Sequence, residues 1–385
     1  MKLQEISCYI ITFSLLVMIG SCKVSKAQHN SVSGVDILKV ASYEPMLTDT
    51  IVFHPCKFIA LETNDISLIK NISRVYRDGE KLFVFDPFLS KLLVFNEQGK
   101  YLSHVRAIGR GPGEYLQAID FCLDVQKKQI IILCDRPSKL VYYDYDGKFI
   151  RETSLVRYYN YFVQDDSLLY CHQLLKTDDK IDVLSVADGH IVNSLSFPAL
   201  EYKQPQGEHI RTFSMGNFFT RGEGVHLTRQ FDNCIYTVVG TQLIPTHYID
   251  MGKHTLPKSL DSYGVDFLQE CDRNKYVCSI SDVVEWEDKL LFSTNIGLFV
   301  GDKKSETMKG YQILFNSQLW FGGGNILPVG NTKNQIIVYN DPFMVKTILR
   351  DGMNRGVNIV ETDMMKALMK MEDDANKVLC LYELR

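Results

Sequence analysis

The chain has 385 residues, 45% of them apolar and 11% aromatic, with 42 Lys and Arg against 46 Asp and Glu for a net charge of −4. That balance provides no basic face to neutralise phosphates, which excludes a nucleic-acid partner. Residues 51–385 suffice for a large core, built either as two ordinary domains or as one repeat array.

Near the amino end, Lys2 precedes an apolar run from Ile10 to Ile19. The run is too short to cross a bilayer of roughly 30 Å as a helix and reads as a secretory signal. The next residues, Ile19-Gly20-Ser21-Cys22, resemble the lipobox of bacterial lipoproteins. The resemblance implies that residues 1–21 are a lipoprotein signal peptide and that Cys22 is lipidated and anchors the protein to a membrane. A cleaved signal with a chance cysteine, or an uncleaved anchor, are the competing readings. Residues 22–50 then form the lipidated N-terminus and a flexible tether, because Lys23 to Asn30 is polar and Ser25, Ser31, Ser33 and Gly34 bury little. Lys23 and Lys26 replace the acidic run that directs some lipoproteins to the cell surface, so an outer-membrane, periplasm-facing position is expected.

From Ile51 onward the chain reads as repeated β-hairpins. Lys57-Phe58-Ile59-Ala60-Leu61 is an early strand, and Val378 to Leu384 a terminal one that meets it to close a ring. Between them, Ser90-Lys91-Leu92-Leu93-Val94-Phe95-Asn96 followed by Gly99-Lys100-Tyr101-Leu102 returns as Ser138-Lys139-Leu140-Val141-Tyr142-Tyr143-Asp144 followed by Gly147-Lys148-Phe149-Ile150. A period of roughly 40 to 50 residues built from short apolar runs and glycine turns is that of a propeller blade. Looser units follow at Ser167 to Phe197, Gly224 to Ile249 and Val283 to Phe315, and a last one is expected to contain strands at Gln335 to Tyr339 and Val345 to Leu349. Met364, Leu368 and Met371 fall on the stripe of a short amphipathic helix. The expected fold is therefore all-β: a six-bladed β-propeller of four-stranded antiparallel blades over residues 51–385, closed so that no sheet edge is left exposed.

The element Gly109-Arg110-Gly111-Pro112-Gly113-Glu114-Tyr115, followed by Ile119-Asp120-Phe121 and Asp124, resembles the inter-blade crossing of the 6-bladed β-propeller lipoproteins, a bacterial family related to NHL-repeat propellers. Three glycines supply backbone angles closed to other residues, Pro112 fixes its own, and Tyr115 is expected to pack as an aromatic anchor. The resemblance adds fold rather than function. It does imply an alternative activity, because related propellers place a divalent metal in the central channel: a hydrolase, lactonase or lyase acting on a saccharide derivative.

The residues themselves display no catalytic set. The histidines form neither HExxH nor HxH, and His104, His172, His226 and His247 read as structural or surface residues. Asp86, Asp135 and Asp144 recur with the repeat as turn caps. GRGPGE lacks the Lys-Ser/Thr ending of a phosphate-binding loop, and Trp320-Phe321 before Gly322-Gly323-Gly324 reads as a loop or, alternatively, a platform for a sugar ring. Most of the cysteines read as small buried hydrophobes. If a hairpin is centred on Lys128, however, Cys122 faces Cys134 and a bridge would form in an oxidising compartment. No cofactor and no metal ligand is indicated. The expectation is a monomeric, membrane-tethered binding or scaffold module whose channel mouth and inter-blade loops engage an envelope protein or glycan.

Overall fold

A computed structural model describes residues 35–172, 180–198, 219–221, 224–239, 242–257, 265–324 and 328–385. The expected signal sequence, Cys22 and most of the expected tether lie outside the described residues, as does most of the segment between the third and fourth hairpin units. In chain order the strands are β1 (Asp36–Thr48), β2 (Lys57–Ala60), β3 (Arg74–Asp78), β4 (Lys81–Asp86), β5 (Lys91–Asn96), β6 (Tyr101–Val105), β7 (Ala118–Asp124), β8 (Gln129–Cys134), β9 (Lys139–Asp144), β10 (Phe149–Ser154), β11 (Tyr161–Asp165), β12 (Leu168–His172), β13 (Lys180–Ser185), β14 (Ile191–Ser196), β15 (Phe219–Arg221), β16 (Val225–Leu227), β17 (Cys234–Val239) and β18 (Gln242–Asp250). Helix α1 (Val265–Asn274) follows, then β19 (Ile280–Trp286), β20 (Lys289–Thr294), β21 (Gly297–Asp302), β22 (Thr307–Asn316), β23 (Phe321–Gly324), β24 (Gly330–Thr332), β25 (Gln335–Asn340), α2 (Pro342–Asn354), α3 (Asp363–Met369) and β26 (Val378–Glu383).

These strands make a propeller-like, almost entirely β fold. Four sheets are four-stranded: β3 to β6, β7 to β10, β11 to β14, and β24-β25-β26-β2. The last is closed by the early strand, as expected, with Lys57 opposite Leu381 and Ala60 opposite Val378. A ten-stranded sheet holds two further sequential runs, β15 to β18 and β19 to β22, joined through β1. The first strands touch in a closed cycle, β3 to β7, β11, β15, β19, β24 and back to β3. Apolar layers fill the spaces between successive sheets, such as Phe83, Phe85, Phe121 and Ile130 between the first two sheets and Ile59, Val84, Phe95 and Leu379 between the ring-closing sheet and the first.

Local sequence explains the units. The middle strands are apolar at nearly every position, Lys81-Leu82-Phe83-Val84-Phe85 and Gln129-Ile130-Ile131-Ile132-Leu133, because each sheet is covered on both faces. The turn after the third strand is capped by Asn96, which accepts from Gln98 N and Lys100 N, and by Asp144, which accepts from Asp146 N and Lys148 N. The repeated glycine has two reasons. Gly99 and Gly147 hold φ of +82° and +83°, and a Cβ on either would stand 2.0 Å from Ala60 O or 2.7 Å from His104 O. Each repeat thus presses its turn against the outer strand of the preceding sheet, and only glycine leaves room.

The structure corrects several expectations. The fold begins at Asp36 rather than near Ile51: β1 runs parallel to both β18 and β22, with Leu38 and Leu47 buried. Its polar flanking residues had suggested a tether, whereas backbone pairing on two outer edges holds it. Val345 to Leu349 is helical, not a strand, because Pro342 opens α2 and Asp341 caps it, accepting from Phe343 N at 3.0 Å and Met344 N at 3.4 Å. Val345 and Leu349, one turn apart, are its buried face. Helix α3 ends at Met369, so Met371 lies beyond it, and Met365 and Leu368 are buried rather than the full expected stripe. Cys122 and Cys134 are free. Their hairpin pairs Asp124 with Gln129, which sets Cys122 opposite Ile131 and Cys134 opposite Ala118, so the two thiols never face each other. Phe321–Gly324 is a strand on β22 rather than a loop, and a Cβ on Gly322 would stand 2.8 Å from Ile313 Cγ2, so this glycine serves close packing.

Candidate functional site

Four antiparallel strands return the chain to the face it started from. The connections between second and third strands, and from each fourth strand to the next first strand, therefore share one face, here the crossing face. Connections between first and second and between third and fourth strands share the other, the turn face. The sequences of the two differ sharply. The turn face carries Glu97-Gln98-Gly99-Lys100, Asp146-Gly147-Lys148, Glu287-Asp288, Lys303-Lys304-Ser305-Glu306 and Lys333-Asn334. The crossing face carries most of the exposed large apolar side chains: Ile66 and Leu68 after β2, Phe88 between β4 and β5, Ile108 and Leu116 before β7, and Val156, 82% exposed, before β11. The α2–α3 insert between β25 and β26 adds Phe343, Met344, Ile348, Val357 and Val360. Helix α2 is thus apolar on two sides, one packed on its own core through Val345 and Leu349 and one open. The turn face holds fewer, Val125, Ile150, Val192 and Val239; a contiguous apolar patch on a surface marks a protein, membrane or ligand contact.

The expected inter-blade element lies on this face and is built as a rigid crossing. Gly109 N donates to Tyr115 O at 3.1 Å, Tyr115 N to Ala107 O at 2.8 Å and Glu114 N to Gly111 O at 3.0 Å. The Glu114 carboxylate folds back to accept from Gly111 N at 2.7 Å, where a Cβ on Gly109 would collide with it at 2.0 Å. Gly113, at φ +75°, lies against the Phe149 ring; its N–H donates to Glu152 Oε2 at 3.0 Å, and its carbonyl accepts from the Tyr143 hydroxyl. Pro112 sits exposed at the tip. Tyr115 is fully buried, and its hydroxyl donates to Ser90 O at 3.1 Å. Asp86 locks the adjoining segments, accepting from Lys70 N, Asn71 N and Leu89 N. Asn376 staples the loop after β2 to the end of the insert, accepting from Ile69 N and donating to Glu62 O and Ser67 O. Asp135, the counterpart of Asp86, meets Arg136 instead of capping a turn.

Two charged clusters lie elsewhere. On the inner ring, Arg74 of β3 pairs with Asp120 of β7 at 2.8 Å, both side chains at most 6% exposed. Asp120 also accepts from Phe121 N and, at 3.4 Å, from Phe162 N of β11, so one carboxylate joins three successive inner strands. Burial pushes its pKa up to about 6, outweighing the opposite pull of Arg74. The second cluster was not legible in sequence, because its members are far apart along the chain: buried His226 and His247 converge on Glu285 at 3.8 and 3.3 Å, with Lys303 at 2.5 Å. The hydrogen bond from His247, with help from Lys303, holds Glu285 down to about 2, and burial lowers His226. Asp36, the first residue of β1, lies 3.6 Å from His247 Nδ1. This cluster ties β1 to the two sheet runs it joins. Among the described residues no group of three His, Cys, Asp or Glu side chains is arranged to hold a metal ion. A shallow cleft of about 350 Å³ between β22 and the chain end places Lys289, Lys309 and Arg385 near Asp302, which Lys289 already pairs.

Residues 36–383 match the family described as a domain of unknown function, DUF4934, and the chain belongs to it. No curated protein matches the chain. Among solved structures, a protein of Bacteroides fragilis thought to be exported superposes with a TM-score of 0.70 at 22% identity, covering 91% of this chain and 99% of that one. A member of the DUF4221 family from Bacteroides vulgatus gives a TM-score of 0.52 at 8% identity over 86% of this chain and 97% of that one. A looser match, at a TM-score of 0.40 and 10% identity over 74% of this chain and 72% of that one, is to BamB from Moraxella catarrhalis.

Proposed function

We propose that this DUF4934 member is a six-bladed propeller lipoprotein, attached to the outer membrane through Cys22, that acts as a binding module and docks a protein of the cell envelope on its crossing face. The count of six follows from treating the ten-stranded sheet as two blades bridged by β1, in keeping with the closed cycle of first strands. Export is supported by the apolar run and lipobox-like Ile19 to Cys22, and by the exported character suggested for the Bacteroides fragilis neighbour. No helix among the described residues is long and apolar enough to cross a membrane. The parallel pairing of β1 with the outer strands makes it start on the turn face.

The observation that carries the reading is the concentration of exposed large apolar side chains on the crossing face, where they outnumber those of the turn face, Val125, Ile150, Val192 and Val239, which stand among charged turns. These side chains are mostly aliphatic, which suits a protein surface better than a glycan, whose recognition relies on flat aromatic stacking. A photo-reactive residue placed in the native envelope at position 344, 156 or 88, with position 146 on the turn face as control, tests it. Discrete protein adducts from the crossing-face positions alone are expected. Equal labelling from position 146, or no adduct from any crossing-face position, would refute the proposal.

A further inference from the structure

Resting on that reading, we infer that the part of the crossing face formed by the β4–β5 turn and the glycine-rich crossing is a preformed basic-apolar patch that takes a protein surface of apolar residues rimmed by carboxylates. Phe88 is 65% exposed, Ile108 45% and Leu116 41%. They do not float on a loose loop. The Lys70 ammonium sits over the Phe88 ring, 3.3 Å from its centroid, and Arg106 Nε donates to Leu89 O. Tyr115 and Ser90 fasten the crossing to the turn, with Ala118 N donating to Ser90 Oγ at 3.3 Å. A surface held this way loses little conformational entropy on binding, which favours affinity.

Charge sets the class of partner. Lys70 stacks on Phe88, Arg106 bonds the adjoining Leu89 O, and exposed Arg110 follows Ile108 by two residues; none makes an ion pair among the described residues. The carboxylates nearby are otherwise engaged: Asp86 caps three amides, Glu114 accepts from Gly111 N, and Glu62 accepts from Tyr101 N at 2.9 Å. Asp135, beside Leu116 through the bond from Asp135 N to Gln117 O, pairs with Arg136, and Asp65 on the loop after β2 is an exposed acid with no ion pair among the described residues. Guanidinium and ammonium groups at the rim of an apolar patch steer a negatively charged partner and set its register.

The test uses the full-length lipidated protein in its native envelope, with p-benzoylphenylalanine replacing Phe88 or Leu116. A single protein adduct is expected from both positions. That protein, purified, should bind the wild type with an affinity that falls as salt is raised, and should lose roughly tenfold or more to Lys70→Glu, Arg106→Glu and Arg110→Glu combined. Asp146→Lys on the turn face should leave binding unchanged. A thermal transition matching the wild type verifies that the triple variant is folded. An adduct to lipid or glycan, or a captured protein indifferent to both salt and charge reversal, overturns the inference. If positions 88 and 116 yield nothing while position 344 still captures a protein, this patch is not the docking site although the crossing face remains one.

Discussion

Replacing Arg74 by Met probes whether the inner ring is held by a buried charge pair. The guanidinium lies 2.8 Å from Asp120 and both side chains are nearly water-free. With charge centres roughly 4 Å apart and an effective dielectric of about 20, the attraction is about 4 kcal/mol. Arg74→Met removes it and strands a carboxylate among Cys122, Tyr76 and Phe121, so a loss of about 3–5 kcal/mol is expected. The double variant Arg74→Met with Asp120→Leu removes the orphan charge and should recover most of that loss, since apolar groups of similar volume often replace a buried pair without penalty. Urea unfolding followed by circular dichroism reads both. The pH dependence has a defined sign. The folded Asp120 pKa lies near 6, above the unfolded value of about 3.9, so the folded state holds a proton that the unfolded chain has released, and stability falls as pH rises through that window. Without Arg74 the folded pKa moves higher still, so the single variant should lose stability more steeply between pH 5 and pH 8 than the wild type. A single variant within about 1 kcal/mol of wild type, or a double variant no better than the single, would refute the reasoning.

Gly113→Ala forces a side chain into the left-handed region and 2.5 Å from the Phe149 ring, and should cost about 1–3 kcal/mol in thermal unfolding. An unchanged transition would mean the crossing is not rigid. Tyr115→Phe leaves Ser90 O without its buried donor, for an expected loss of about 1–2 kcal/mol measured the same way. Asp341→Ala should lower stability by about 1 kcal/mol through the lost N-cap of α2, visible as faster local amide exchange at Phe343 and Met344. Acid should weaken the clamp at β1: the depressed His226 pKa removes stability as pH falls below about 6.5, and the depressed Glu285 pKa removes more as pH falls from about 4 toward 2. His226→Gln should flatten the first of these two losses in a series of urea midpoints, and an identical pH profile in the variant would count against the assignment.

What the sequence determined by itself is local. Apolar runs bounded by Asp, Asn and Gly gave β4, β5, β8 and β9 nearly residue by residue, because strand and turn preferences act over a few neighbours and the second copy confirmed the first. The bend around Gly109 to Tyr115 is local in the same way, since glycine angles, a proline and one buried aromatic leave few conformations. The tertiary structure decided everything that depends on partners distant in sequence. Strand β1 carries no strong apolar period and reads as tether; it is ordered because two outer strands, more than two hundred residues downstream, offer it backbone hydrogen bonds. Val345 and Leu349 suit a strand or a helix equally, and the cap at Asp341 with the core beneath chose the helix. The meeting of His226, His247 and Glu285, and the gathering of Phe88, Ile108 and Leu116 beside unpaired cations, arise only when the ring closes. Closure brings to one face connections that the sequence scatters along its length, and that is why strands and turns could be read from the chain while the make-up of that face could not.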